Sequence, residues 1–361
     1  MRAVLLEEYG VVPRVADVPD PVCPPDGVVV RVEATGLCRS DWHTFEGHFP
    51  DIPLPHVPGH EFAGVVETVG ADVAGWRPGD RVTAPFVNAC GTCPTCRRGD
   101  HQVCERQTQP GFDGWGSFAE LVVVERAPVN LVAVPDGVDA ATAAALGCRF
   151  ATAYRAVVEV GRVRAGDWVA VHGCGGVGLS AVMVAVAAGA RVVAVDVRPG
   201  PLALATAFGA EAVVDVRALD LPFDQRSGAA AGPLAVGEAV RAAAGGAVDL
   251  SLDALGSPAT CAASIAGLRP RGRHVQVGLL PAAVGWPQVP MHLAIAGELE
   301  LLGSHGMAAH SYPGMLGLVE AGRLRPLDLV TGRVGLDDVP AGLASLGSAP
   351  PTGMTVALPN G

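Results

Sequence analysis

Hydrophobic residues follow two different patterns along this chain of 361 residues. Up to about residue 145, short β-type runs at Val28 to Val32, Gly64 to Val69 and Leu121 to Val124 are separated by turns rich in Pro, Gly and Asp. Such runs between turns are typical of strands, so this part is predicted to be β-rich and irregular. From about residue 150, apolar strands such as WVAVH and RVVAVD alternate with alanine-rich helical segments. This alternation predicts βαβ units and a parallel sheet.

The change of pattern predicts an α/β protein of two domains. We expect the first domain to comprise residues 1–150 and 304–361, because the turn-rich pattern returns after Gly303. The second domain is expected to comprise residues 151–303. The stretch from Arg217 to Gly237, rich in Ala and Gly, is predicted to be a surface excursion.

One apolar run, Trp168 to Ala190, is long enough to cross a bilayer. Five glycines between Gly173 and Gly189 interrupt it. We therefore interpret the run as a buried strand, a tight turn and an apolar helix of an α/β core, and we expect no membrane partner.

The charged residues argue against one class of function and exclude another. The net charge of -11 argues against a nucleic acid partner, because such binding depends on Lys and Arg at phosphates. All 25 basic residues are Arg, so Schiff-base or lysine general-base chemistry is excluded.

The N-terminal MRAVLLEEYG fits a first strand and lacks the regions of a signal peptide. We therefore expect a cytoplasmic protein whose nine cysteines are reduced.

A glycine-rich turn lies between a predicted strand and a predicted helix. Gly173, Gly175 and Gly178 form GCGGVG, and the next strand ends in Asp196. Glycines at this spacing let the backbone approach a pyrophosphate at a helix N-terminus, and the carboxylate can hold ribose hydroxyls. Asp196 would repel a 2′-phosphate, which favours NAD over NADP, although Arg198 could accommodate that phosphate.

The stretch CGTCPTCRRGDHQVC places four thiols close together. Such spacing is typical of a zinc site, and a structural zinc takes four protein ligands whereas a catalytic zinc keeps one position open. We expect a closed tetrathiolate that pins a lobe at about residues 88–106 and performs no chemistry. The alternative is a set of unligated surface thiols. The predicted ligands are Cys90, Cys93, Cys96 and Cys104.

An open metal site must therefore lie elsewhere. Candidate ligands occur in GLCRSDWH, VPGHEFAG and LGCRFATAY, although a lone His is more often a satisfied polar side chain. The pattern GHE-x2-G-x5-G-x2-V, from Gly59 to Val73, resembles the signature of zinc-containing alcohol dehydrogenases in the medium-chain dehydrogenase/reductase superfamily. The resemblance covers nearly the whole chain. It implies a GroES-like catalytic domain and a Rossmann domain with a doubly wound parallel sheet.

The resemblance also implies roles for individual residues. Cys38, His60 and Cys148 match the catalytic zinc ligands, Glu61 an acid near the metal, and Asp41 a carboxylate that holds the His60 ring. For Phe49 and Phe86, matched to substrate-pocket walls, the alternative is core packing. For His43, matched to a proton relay, the alternative is a surface position without a role. The remaining matches are Ser40 and His43 to a proton relay, Arg39 to a pyrophosphate contact, Thr152 to a nicotinamide-side contact, Val177 to the apolar residue behind the nicotinamide ring, and Phe49 and Phe86 to aromatic walls of the substrate pocket.

The chemistry of these residues supports the same reaction. Two thiolates and an imidazole leave zinc net neutral, so that it can act as a Lewis acid on an alcohol whose hydride passes to a dinucleotide. We predict NAD-dependent interconversion of a primary or secondary alcohol with its aldehyde or ketone, with one zinc ion in each of the two metal sites.

Other functions remain as alternatives. A polyol or sugar-alcohol dehydrogenase of the same superfamily is the nearest, but Cys148 and the apolar rings favour a simple alcohol. A non-catalytic binding protein that retains the fold and a zinc-ribbon module for nucleic acid are more remote. The resemblance further implies a homodimer or homotetramer formed through the Rossmann sheet edge around Glu298 to Gly303.

Overall fold

The computed structural model describes residues 1–219, 223–224, 229–230, 232–280 and 286–361. These residues form two compact units, one of residues 1–151 and 306–361 and the other of residues 152–305. Part of the predicted surface excursion lies outside the described residues, and its last part begins a helix at Pro233. Within the described ranges, no helix is long and apolar enough to cross a membrane.

The N-terminal part of the first unit consists of strands of two to ten residues and helices of four to seven residues. The strands predicted at Val28, Gly64 and Leu121 are confirmed. The strands are β1 (Arg2–Leu5), β2 (Arg14–Asp17), β3 (Val28–Leu37), β4 (Phe62–Val69), β5 (Arg81–Thr83), β6 (Leu121–Val124) and β7 (Val132–Ala133). The helices are α1 (Arg39–Phe45), α2 (Pro94–Arg97), α3 (Ala127–Asn130) and α4 (Ala140–Ala145).

Helix α4 continues into a widened helical turn. A π-helical segment, Leu146–Phe150, is followed by α5 (Ala151–Tyr154) and by a second π-helical segment, Arg155–Val160. A π turn inserts an extra residue into a helix and often occurs at functional sites. Cys148 lies in the middle of the first segment.

The second unit alternates strands and helices, as the sequence predicts. The glycine-interrupted apolar run is confirmed as a strand, a turn and a helix. The strands are β8 (Trp168–His172), β9 (Arg191–Asp196), β10 (Ala212–Asp215), β11 (Phe223–Asp224), β12 (Ala229–Ala230), β13 (Val248–Asp253), β14 (Leu268–Gln276) and β15 (Glu300–Gly303). The helices are α6 (Gly176–Ala187), α7 (Pro199–Ala207), α8 (Pro233–Ala244), α9 (Pro258–Ala266) and α10 (Met291–Gly297).

Six strands of the second unit form one parallel sheet in the order β10-β9-β8-β13-β14-β15. Counted along the chain, this is the order 3-2-1-4-5-6 of doubly wound dinucleotide-binding folds. Val193, Leu250 and Val275 are fully buried in it, because the central strands are covered on both faces. The strand order reverses between β8 and β13, and ligands of such folds bind outside the carboxyl ends of the strands at this point. The predicted Rossmann sheet is confirmed.

The C-terminal segment joins the sheet of the first unit. Its elements are α11 (Tyr312–Glu320), β16 (Val330–Gly335), α12 (Val339–Ser345) and β17 (Met354–Leu358). The sheet has the order β16-β17-β3-β4-β5-β7, and β6 also pairs with β3. Strand β17 runs antiparallel to β3, with Thr355 opposite Leu37. Val30, Phe62 and Val122 pack in the core of this sheet.

Candidate active site and metal centres

The antiparallel pair β3 and β4 brings predicted metal ligands to one edge of the first unit. Cys38 directly follows β3, and His60 comes shortly before β4 begins. Cys148 reaches the same place from the π-helical segment. The ligand atoms of Cys38, His60, Glu61 and Cys148 all lie within 4.8 Å of one another. The group is buried except for Cys148, which is partly exposed.

Asp41 fixes the orientation of His60. Its fully buried carboxylate accepts hydrogen bonds from His60 Nδ1 at 2.8 Å, from the Gly59 amide at 3.0 Å and from the Cys38 amide at 3.0 Å. His60 Nε2 is buried and has no hydrogen-bond partner among the described residues. Buried polar atoms are normally paired, so this nitrogen is available to a metal ion, and the carboxylate supports the ring as it does for metal-binding histidines.

The charge balance of the cluster also fits a cation. A hydrogen bond with the Cys148 thiol, aided by His60, lowers the pKa of Cys38 well below its usual range, while the same bond and burial raise the pKa of Cys148. Burial opposes the charged form of His60, but the Asp41 and Cys38 charges raise its pKa well above the ordinary value. A bound metal displaces such protons. Two sulfurs and an imidazole with one position left open suit zinc.

Glu61 belongs to the cluster, but its carboxylate is held by Arg149. Glu61 Oε1 accepts hydrogen bonds from the Arg149 amide and Nε, each at 2.9 Å, and Oε2 pairs with Arg149 Nη2. Both side chains are buried, and burial raises the pKa of Glu61 although Arg149 opposes the rise. Sequence reasoning missed Arg149, whose signal was a basic residue directly after a predicted ligand. Glu61 would have to give up this ion pair to contact a metal.

The predicted relay residues lie beside the cluster on α1. Ser40 Oγ is 3.9 Å from Cys38 Sγ. The two Nδ1 atoms of His43 and His48 are 2.8 Å apart, a contact that sequence reasoning missed. Burial, and then the charge of Arg39, lowers the pKa of His43 to about 4. His43 is therefore neutral at physiological pH and can accept a proton on one nitrogen while donating from the other.

Two aromatic rings lie close to the His60 ring, and a third lies close to one of them. The ring of Phe86 lies 6.2 Å from the His60 ring, and that of Phe112 lies 5.2 Å from it. Phe49 is 5.9 Å from Phe112 and 6.2 Å from His43. Phe86 is buried, whereas Phe49 and Phe112 are partly exposed. Sequence reasoning missed Phe112, because nothing in GFDGWG marks it as a neighbour of His60.

The four cysteines of the lobe form the second metal-binding group. Two Sγ pairs, Cys90 with Cys96 and Cys93 with Cys104, are 3.9 and 3.8 Å apart. Backbone amides donate to the sulfurs. The Cys93 amide donates to Cys90 Sγ at 3.3 Å, and the Cys96 amide donates to Cys93 Sγ at 3.4 Å. Asn130 ties the lobe to the rest of the unit, because its side chain exchanges two hydrogen bonds with the backbone of residue 89.

Without a cation, the sulfurs of the lobe cannot all ionise. Amide hydrogen bonds, led by that of Thr92, lower the pKa of Cys90 to about 5. Burial and the neighbouring sulfur of Cys104 raise the pKa of Cys96 to about 12. A doubly charged ion removes this conflict, because metal binding displaces the remaining protons. All four ligand positions are filled by thiols, so the lobe leaves no place for a substrate.

The glycine turn of the second unit has the geometry of a dinucleotide-binding loop. Gly173 has a φ of +88°, and a Cβ on Gly178 would lie 1.8 Å from the Gly173 carbonyl oxygen, so neither position tolerates a side chain. Helix α6 begins directly after Gly175. At the end of β9, Asp196 accepts hydrogen bonds from the Cys174 amide at 2.7 Å and from the Arg198 amide at 2.9 Å.

The other predicted cofactor contacts are scattered over both units. Arg39 is exposed and stacks on Trp42 at 4.9 Å. Val177 is half-buried in the first turn of α6. Thr152 is buried, and its hydroxyl has no hydrogen-bond partner in the described part of the chain. Arg198 Nε lies 3.8 Å from the Asp196 carboxylate. The group that could accommodate a 2′-phosphate therefore lies next to the group that would repel it.

Comparison with known proteins gives consistent matches. The alcohol dehydrogenase GroES-like domain matches residues 24–136, and the zinc-binding dehydrogenase domain matches residues 176–321. An alcohol dehydrogenase of Rhizobium meliloti is 39% identical over 222 residues, 61% of this chain. The chain covers 64% of that relative, slightly less than two thirds.

Two further matches extend over essentially the whole chain. A NAD-dependent alcohol dehydrogenase of Sulfurisphaera tokodaii is 29% identical and is covered over 100% of its length by 99% of this chain. The solved structure of alcohol dehydrogenase TADH from Thermus sp. ATN1 is 33% identical, has a TM-score of 0.86, and matches over 99% of both chains. With the signature around His60 and the two metal-binding groups, these matches assign the family. The chain belongs to the zinc-containing alcohol dehydrogenases of the medium-chain dehydrogenase/reductase superfamily.

Proposed function

We propose that this protein is an enzyme that interconverts a primary or secondary alcohol and its aldehyde or ketone, with zinc and NAD as cofactors. One observation carries the proposal: Cys38, His60 and Cys148 converge on one point, and His60 Nε2 has no partner among the described residues. The closed tetracysteine lobe cannot serve this purpose, because its four thiols leave no open position.

The residues of the open cluster would divide the work as follows. Cys38, His60 and Cys148 hold the catalytic zinc, and Asp41 keeps the His60 ring in place. Zinc there supplies a Lewis acid for the alcohol oxygen, and NAD supplies the hydride acceptor. Glu61 stays paired with Arg149, so its negative charge is compensated and it is not a ligand in this arrangement.

The proton released on oxidation would leave through α1. Ser40 receives it, His43 passes it on, and His48 is the next group, since its Nδ1 lies 2.8 Å from that of His43. The low pKa of His43 means that the ring conducts a proton between its two nitrogens and does not store one.

The substrate is inferred from the aromatic rings near His60. Phe49, Phe86 and Phe112 would exclude water from the reacting atoms and favour an apolar alcohol over a polyol. A polyol or sugar-alcohol dehydrogenase is the second candidate, and the same pocket would then need polar partners for extra hydroxyl groups. Assembly into a homodimer or homotetramer and a cytoplasmic location stay predictions.

The cofactor is inferred from the glycine turn. The pyrophosphate would lie at the N-terminus of α6, where Gly173, Gly175 and Gly178 leave room for it. Asp196 would accept hydrogen bonds from the ribose and repel a 2′-phosphate, which favours NAD. Arg39, Thr152, Val177 and Arg198 are proposed as additional contacts.

Steady-state kinetics test this proposal. We expect oxidation of short-chain and aromatic alcohols to have a higher kcat/KM than that of polyols, and NAD to be preferred over NADP. The Asp196→Gly variant should narrow or invert the cofactor preference, because the repelling carboxylate is removed. Equal or better use of NADP by the wild type would contradict the role of Asp196, and absence of alcohol-dependent NADH formation in zinc-loaded protein would contradict the proposed activity.

A further inference from the structure

One pocket of the second unit, separate from the glycine turn, is lined mainly by arginine. The cavity has a volume of about 370 Å³, within the range of roughly 300–1,000 Å³ that is usual for small-molecule sites. Five of its lining residues are arginines and two, Asp167 and Glu300, are acidic. The lining has a formal excess of positive charge in a chain with a net charge of -11, although Asp249 and Glu298, which lie outside the lining, pair with two of the arginines. The arginines are Arg162, Arg164, Arg269, Arg271 and Arg273.

The cavity lies at the amino-terminal edge of the parallel sheet. Arg162 and Arg164 precede β8, Arg269 to Arg273 lie in the first half of β14, and Glu300 begins β15. The glycine turn follows the other end of β8, five residues and about 17 Å away at the usual rise per strand residue. The two places are therefore distinct, and a ligand in the cavity does not occupy the glycine turn.

The backbone around the cavity is irregular. Between the pairs Val248 with Leu268 and Leu250 with Arg273, β13 advances two residues and β14 advances five. The three extra residues of β14 form a bulge within residues 269–272, which include two of the arginines, and bulges commonly redirect side chains near functional sites.

Backbone strain is concentrated at the same edge. Non-glycine residues rarely adopt a positive φ, because the conformation costs free energy. Four such residues occur in the described part of the chain, and three of them are here: Arg162 at +51°, Arg271 at +63° and Glu298 at +43°. Glu298 is the ion-pair partner of Arg271. The fold thus retains strained conformations at the positions that present charge to the cavity.

Ion pairs hold the arginines without using up their donors. Four of the five arginines are paired: Arg273 with Asp167 at 3.2 Å, Arg271 with Glu298 at 2.6 Å, Arg269 with Asp249 at 2.5 Å, and Arg162 with Glu300. A guanidinium carries five N–H donors, and one such pair uses one or two of them. Arg164 has no ion pair among the described residues, so its charge is the least compensated.

We propose that this arginine cavity binds a small molecule that carries two or more phosphate groups. Guanidinium groups match phosphate oxygens with paired hydrogen bonds, and several arginines around one cavity favour an anion with more than one charged group. The assignment concerns a site separate from the proposed catalytic and cofactor sites. Its test therefore does not depend on alcohol dehydrogenase activity.

Isothermal titration of the full-length, zinc-loaded protein with fructose 1,6-bisphosphate tests the site, with inorganic phosphate as a comparison. We expect one bisphosphate per chain, bound more tightly than phosphate and weakened by salt. Arg164→Gln and Arg271→Gln should each weaken binding about tenfold, since hydrogen bonds between charged groups are lost. Arg164 has no ion pair to lose, so this variant should retain the thermal stability of the wild type.

Arg77→Gln is the matched control. Arg77 is an exposed arginine of the first unit that pairs with Asp80, and its loss changes the net charge equally without touching the cavity. Unchanged binding in this variant supports the site. Absence of bisphosphate binding, or equal binding by the wild type and both cavity variants, would overturn the proposal. So would a shift of the sedimentation coefficient in the cavity variants with bisphosphate binding intact, because the arginines would then serve contacts between copies of the chain.

Discussion

The two sulfur-containing clusters of the first unit differ in what surrounds their ligands. In the lobe, Cys93, Cys96 and Cys104 are buried, and amide groups donate to the sulfurs. In the open cluster, Cys38 and His60 are held by the carboxylate of Asp41, and Cys148 is partly exposed. The lobe stabilises thiolates with backbone amides and with the exposed guanidinium of Arg106, which donates to Cys90 Sγ at 3.4 Å, whereas the open cluster relies on a buried carboxylate brought from α1.

This difference leads us to expect that the lobe serves folding and that the open cluster serves catalysis. Four thiols close the coordination of an ion, and in such sites metal binding contributes directly to folding. Two thiols and one imidazole leave a position open, beside the rings of Phe86 and Phe112. Removal of a ligand should therefore affect stability in one cluster and activity in the other.

The largest expected effect comes from substituting one ligand in each cluster. Cys96→Ser should destabilise the protein by several kcal/mol, because the lobe loses its metal and the folding free energy that comes with it. Cys38→Ser should abolish alcohol oxidation while the fold is retained. Elemental analysis should show two zinc ions in the wild type, one for each cluster, and one in each variant.

A third cysteine provides the control for this pair. Cys23 is partly exposed and belongs to neither cluster, so Cys23→Ser should keep the zinc content, the thermal midpoint and the activity of the wild type. One zinc per wild-type chain, together with a fully stable and active Cys96→Ser variant, would contradict the division between the clusters.

A smaller effect is expected at His43, which lies on α1 beside the open cluster. His43→Ala should slow alcohol oxidation about a hundredfold, the usual size of a proton-transfer contribution, and imidazole buffer should restore part of the rate. Because the pKa of His43 is lowered to about 4, the ring gains a proton only below that pH. The ratio of wild-type to variant rates should therefore stay constant from about pH 6 to 8.

The rates must be measured where hydride transfer limits turnover, as shown by a deuterium isotope effect with deuterated alcohol. An unchanged rate without buffer rescue would leave His43 without a role in the proton path. A loss of zinc or of thermal stability in His43→Ala would provide another cause for a lower rate. The zinc content and the thermal midpoint of the variant are therefore measured in parallel.

The smallest effect is expected at Asp41. Asp41→Asn removes the charge behind His60, and such supporting residues change metal affinity by roughly 10- to 100-fold. Competition with a chelator should show earlier loss of zinc from the open cluster, with the lobe unaffected. Asp51→Asn, at an exposed position close in sequence, is the control. Equal zinc affinity in the Asp41 variant and the wild type would show that the carboxylate does not support the ligand.

Local spacing predicts much of this arrangement. The tetracysteine group and the glycine turn are contained in short stretches, so residue type and spacing are sufficient to predict them. The alternating apolar pattern likewise predicts the Rossmann sheet, since its strands are buried on both faces. The strand order of that sheet agrees with the predicted fold.

Contacts between distant segments are less accessible from sequence. Phe112 approaches His60, and Arg149 pairs with Glu61, only after the sheet of the first unit has formed. The lowered pKa of His43 is caused by burial and by nearby charges, which no motif encodes. The arginine cavity is another example, because residues 162–164 and 269–273 are distant in sequence and come together only when the parallel sheet forms.

The π-helical turn at Leu146–Phe150 makes the ligand set depend on the number of residues as well as on their identity. In a regular α-helix each residue turns the chain by about 100°, so removing one residue from this turn would rotate the preceding side chains relative to those that follow. Cys148 would then leave the cluster, and Gly147 or Arg149 would take its place. A single-residue deletion between α4 and α5 is therefore equivalent to removing a ligand, even though every cysteine remains in the chain.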